Sequence, residues 1–212
     1  MPLRDHFHPP LADLASWEEL HGLWPGVMAM RLNSILPPQY RSGVRVHLGS
    51  IIEVDVATFE LDSEVPTPPE YEVLVYDMKH TRRLVAAVEL VSPGNKDRAE
   101  SRDAFVSKCH ALLQQDVCVA IVDPVTERAG NLYVELAERI GADSPKVGAG
   151  SIYAVSCRGR VVHGRWRVES WPHDLVIGSQ LPTLPLWLNE TECVPLELEA
   201  TYDESCRGLR LE

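Results

Sequence analysis

The sequence has no CxxC pair, and its five cysteines, Cys109, Cys118, Cys157, Cys193 and Cys206, are odd in number and widely spaced. That pattern indicates neither a disulfide framework nor a zinc knuckle, so reduced, ordinary thiols are expected. No apolar run approaches the roughly 18 residues a membrane span needs, and the segment MPLRDHFHPP lacks the apolar core of a signal peptide. A cytoplasmic protein without a membrane partner is the expectation. GxSxG, P-loop and dinucleotide fingerprints are missing too, which removes the usual support for a serine hydrolase, a nucleotide kinase or a Rossmann oxidoreductase. No internal repeat or low-complexity tract is visible.

Positive charge is scarce in one long stretch. Glu53, Asp55, Glu60, Asp62, Glu64, Glu70, Glu72 and Asp77 follow one another with no Lys or Arg between them. From Lys79 to Lys108 the balance reverses, and Arg158, Arg160, Arg165 and Arg167 form a second basic cluster. The formal net charge of −11 disfavours nucleic acid as a partner, although the basic segments could meet a phosphate-bearing ligand locally. A solvated strand edge or hairpin is the favoured reading of the arginine cluster. A protein partner or a homo-oligomer is left open by the composition.

With 212 residues and 45% hydrophobic content, one domain is expected: a helical elaboration over 1–42, a core over 43–142 and a C-terminal extension over 143–212. The motif SWEE at 16–19 fits a capping box opening a helix near Trp17, which Gly22, Pro25 and Gly26 should break before a second helix from Val27 to Leu36. Strands are predicted over Val44–Leu48, Ile51–Phe59, Tyr71–Tyr76 and Leu84–Val91, the last two joined by the polar turn MKHTRR. After a turn at SPGNKD come a helix over Ala99–Gln115, a strand at 117–122 and a helix over Leu132–Ile140. Strand, helix, strand implies a crossover in a mixed sheet, and hence an α/β fold. Beyond it, Ile152–Ser156 and Val161–Trp171 read as strands and QLPTLPLWL as extended chain.

Glu89 is the anomaly in this layout. It sits inside LVAAVELVS, a run that otherwise reads as a strand buried on both faces, where a carboxylate is costly unless a cation or donors meet it. Asp55 repeats the anomaly in SIIEVDVATF, where Glu53, Asp55 and Ala57 share one face. On the helix that follows, Phe105, Lys108 and Leu112 fall at i, i+3 and i+7, which puts an ammonium on the apolar stripe. Asp55 and Glu89, with the peptide carbonyl of Leu90, could hold one Mg2+ or Mn2+, since such hard ions take oxygen ligands and often only one or two carboxylates. Lys108 or Lys96 could then stabilise charge on a phosphoryl group. Against this stands a Glu89 tied to Lys108 or to an arginine as a structural ion pair, about equally supported by the pattern. His6 and His8 form an HxH in a Pro-flanked segment, Asp123 ends a strand before a proline, and Trp166 and Trp171 stand beside arginines; exposed histidines, a turn and core packing are the favoured readings of these three.

The segment VAAVELVSPGNKDRAESRDAFVSKCHALLQQDVCVAIVDP, together with ILPPQY, VHLGSIIEVDVATFE and VPLELEATYDESC, resembles a bacterial family known as domain of unknown function four-zero-five-eight. A more distant resemblance is to the restriction-endonuclease-like PD-(D/E)XK superfamily, in the branch with an EVLSP-type strand end followed by a helical lysine. It implies a mixed central sheet flanked by helices, with Asp55 as the first acid, Glu89 as the second and Lys108 as the lysine. Val54 stands where that pattern has proline and Val91 where the ExK lysine would be, so Lys108 or Lys96 would have to supply the missing cation. Magnesium-dependent phosphodiester hydrolysis is what this resemblance implies; a non-catalytic interaction protein on the same fold is the alternative.

Overall fold

A computed structural model describes residues 1–47, 70–79, 81–143 and 145–211. Asp55 and the strand expected over Ile51–Phe59 lie outside them, as does Leu48. The chain opens with helix α1 (Trp17–Ile35), entered where the Glu19 carboxylate accepts from the Ser16 N–H. The break expected at Gly22, Pro25 and Gly26 does not occur. Proline inside a helix costs about 3 kcal/mol, but α1 buries Leu20, Trp24, Met28 and Leu32 almost completely. Each of those side chains contributes about 1.5 to 3 kcal/mol on burial, so tertiary packing outweighs the local penalty.

Six strands form the main sheet in the spatial order of the sequence: β1 (Tyr40–His47), β2 (Glu70–Asp77), β3 (Arg83–Leu90), β4 (Cys118–Asp123), β5 (Tyr153–Val162) and β6 (Arg165–Asp174). Every neighbouring pair is antiparallel except β3 and β4. A parallel join needs a crossover, and it is made by α2 (Pro93–Asp97) and α3 (Ala99–Gln114). The turn expected at SPGNKD is thus one short helical turn, started by the Asn95 side chain accepting from the Ser92 N–H at 2.9 Å. Helix α4 (Leu132–Ile140) links β4 to β5, and the chain closes with a second sheet of β7 (Thr183–Trp187) and β8 (Cys193–Glu197) and with helix α5 (Leu198–Gly208).

Two layers cover the sheet. Ala86, Val88, Leu90, Cys118, Ala120 and Val122 face a core shared with α1, α5 and the β7–β8 hairpin. On the other face Val119, Ile121, Tyr153 and Val155 pack under α3 and α4. The molecule is therefore α/β, a six-stranded mixed sheet flanked by helices. No helix among the described residues is long and apolar enough to cross a membrane.

Candidate functional site

Strand alternation places Ala87 and Glu89 on the face of β3 that looks toward α3. In the ladder between β2 and β3, Glu89 stands directly opposite Glu72, so two carboxylates occupy one cross-strand position. Both residues are buried, 3% and 5% exposed. Above them Lys108 reaches down from α3, its Nζ 2.8 Å from Glu89 Oε2 and 3.3 Å from Glu72 Oε1. The pairing of Lys108 with Glu89 follows from the helical phase in the sequence. Its side chain stays 30% exposed and leans on the Phe105 ring, so the cluster meets solvent through this lysine. Burial alone would lower the Lys108 pKa, but the carboxylates of Glu89 and then Glu72 reverse this and hold it above the ordinary lysine value.

Sequence reasoning missed Glu72. It was submerged in an acidic stretch, and its strand drew attention only for its apolar residues. The available signal was alternation within EYEVLVYD: Tyr71, Val73 and Val75 occupy one face, which leaves Glu72 on the same face as Leu74 and Tyr76.

The other expected site residues are placed elsewhere. Lys96 is fully buried, with its ammonium 3.0 Å from Asp123 Oδ2 and also donating to the carbonyls of Ser151 and Val125. It fixes the crossover to the end of β4 and does not touch the Glu72–Glu89 pair among its described contacts. Asp123 is more than a turn residue: it is wholly buried, and burial pushes its pKa up to about 7 although Lys96 pulls the other way. The Leu90 side chain lies on the opposite face, and its carbonyl is hydrogen-bonded to His21 Nε2 at 3.0 Å. His21 is itself stacked on Trp17 and met edge-on by Tyr71.

His6 and His8 do not converge. His6 is buried, contrary to expectation, with Nε2 2.7 Å from the Tyr202 hydroxyl, while the more exposed His8 faces Asp5. The arginine cluster does form a hairpin, β5–β6, in which Arg158 and Arg160 both bind Glu169. Arg158 also lies 3.5 Å over the Trp187 ring, and Trp171 packs against Trp187. Among the described residues no group of three or more His, Cys, Asp or Glu side chains could hold a metal ion. In comparisons with known proteins, no family model, curated protein or solved structure matches the chain.

Proposed function

We propose that the Glu72, Glu89 and Lys108 cluster is the centre of a Mg2+- or Mn2+-dependent phosphodiester hydrolase with a PD-(D/E)XK-like core. The observation that carries this reading is the position of Glu72 and Glu89, two buried acids facing each other across adjacent strands with a lysine poised over both. Glu72 and Glu89 would hold the ion; Asp55, the ligand expected from sequence, lies outside the described residues. When bound, such an ion supplies Lewis acidity toward a phosphoryl oxygen. Lys108 faces the same point from the solvent side, where an ammonium stabilises charge building on the phosphoryl group.

The test is cleavage of labelled single- and double-stranded oligonucleotides with Mg2+, Mn2+ or chelator, by wild type and by Glu72→Gln, Glu89→Gln and Asp55→Ala. Loss of at least about 100-fold in the glutamate variants is expected, as for removal of a principal charge-stabilising group. Equal cleavage by all preparations would assign the activity to a contaminant.

A second reading has its own observation: Lys108 already touches both carboxylates, as a purely structural ion triad would, on an interaction protein without catalysis. The two separate in thermal melts. A metal site predicts that Mg2+ raises the wild-type melting temperature and that Glu89→Gln abolishes the rise. A structural triad predicts no Mg2+ effect and a large loss in Glu89→Gln with chelator present.

A further inference from the structure

Beside the acidic pair the same face of the sheet changes sign. Arg45 on β1 stands directly opposite Glu72, so Arg45, Glu72 and Glu89 form one row across three strands. Two and four residues before Arg45 on that face come Gly43, paired with Leu74, and Arg41, paired with Tyr76. Helix α3 packs over β4 and β5, and Arg41 and Arg45, farther along the sheet on β1, are exposed. A cleft of about 390 Å³ lies there, lined by Gly43, Arg45, Leu74, Tyr76 and Arg82. A Cβ on Gly43 would meet nothing within 4 Å, so the floor between the arginines is clear.

The hairpin between β2 and β3 supplies the far wall. Thr81 and Arg82 both adopt left-handed backbone conformations, with φ of 50° and 59°, uncommon for residues other than glycine. This turn brings the Arg82 guanidinium 4.6 Å from the centre of the Tyr76 ring. Arg41, Arg45 and Arg82 form no ion pair with a described residue. On a chain of net charge −11, three guanidiniums on one strip of the sheet concentrate positive charge locally.

We propose that this strip is a binding groove for one strand of a polynucleotide, its phosphates on Arg41, Arg45 and Arg82 and a base against the Tyr76–Arg82 platform. The groove would deliver a neighbouring phosphodiester to Glu72, Glu89 and Lys108, and to that extent the inference rests on the hydrolase reading. Charge selects the ligand class, and the Tyr76–Arg82 platform selects a single strand, whose bases are free to stack: a basic track with an aromatic stacking surface is the general form of sequence-tolerant single-strand sites. An acidic peptide added along the β1 edge is the competing occupant, but it would make no use of the Tyr76 platform.

The experiment is fluorescence anisotropy of a labelled single-stranded oligonucleotide of about 16 nucleotides, in chelator so that no hydrolysis intervenes, across a salt series. Removing one phosphate contact lowers the salt slope by about 0.7 for a single strand, which near 0.1 M salt corresponds to about fivefold weaker binding. Arg41→Ala, Arg45→Ala and Arg82→Ala should each show that loss, and the double replacement of Arg165 and Arg167 by alanine, on β6, should show none. The proposal is overturned if wild type does not bind, if the β6 variant loses as much as the strip variants, or if polyglutamate of equal charge competes as well as the oligonucleotide. Failure of the hydrolase reading has a different signature: binding that depends on the three arginines, with no cleavage that depends on Glu72 or Glu89.

Discussion

Lys108 holds two buried acids that would otherwise repel each other, so removing its charge should be felt first as stability. Lys108→Met in chelator is expected to lose about 3 kcal/mol, the low end for a broken buried pair because the side chain is 30% exposed. If the acids bind a divalent ion, excess Mg2+ should stabilise this variant more than wild type; urea midpoints with and without the ion measure both effects. His6 makes a separate prediction. Burial, and then the charge of Arg4, lowers its pKa to about 4, whereas the unfolded chain titrates near 6.5. The unfolded state therefore binds the proton first, and the stability contributed by His6 is full above pH 6.5 and is lost as pH falls toward about 4. His6→Gln should flatten that part of the pH profile, and parallel curves for variant and wild type would place the dependence elsewhere. At this scale the sequence was legible where periodicity isolates one residue. Glu89 and Lys108 each break an apolar pattern, whereas Glu72 depends on which strand lies beside β3, and register is a long-range property.

Among the elements, α3, α4 and the β2–β3 hairpin were readable because periodicity, turn residues and caps agree. Helix α4 shows why: Asn131 caps it by accepting from the Val134 N–H at 2.9 Å, and Gly141 ends it with φ of 77°. Asn131 also donates to the carbonyls of Gly148 and Gly150, so one side chain holds both the helix start and the loop before β5. Asn131→Ala is expected to cost about 2 kcal/mol, the upper range for a cap, while Asn131→Asp should recover only the capping part. Chemical denaturation of the pair checks this, and equal losses would mean the loop bonds dominate. Helix α1 was misread because Pro25 is a local signal and the burial of Trp24 and Met28 is not. Helix α5 was overlooked although Leu198, Tyr202 and Cys206 recur at i, i+4 and i+8 on its buried side.

For the whole molecule, the mixed sheet was legible from the strand and helix succession, but the division of labour between its faces was not. One face is covered by α1, α5 and the β7–β8 hairpin, and the other carries the acids, Lys108 and the exposed Arg41 and Arg45. The covered face joins residues nearly two hundred positions apart. The Met1 amine pairs with Glu199, Arg4 donates to the Leu211 carbonyl, His6 meets the Tyr202 hydroxyl, and Trp24 donates to Thr201. Chain growth on the ribosome runs from the first of these partners to the last. Helix α1 must therefore wait with Trp24 and Met28 uncovered while the rest of the sheet is made, and the layer can close only when α5 emerges. A nascent chain stalled before residue 198 should remain sensitive to protease within α1, whereas one released after residue 211 should become resistant there.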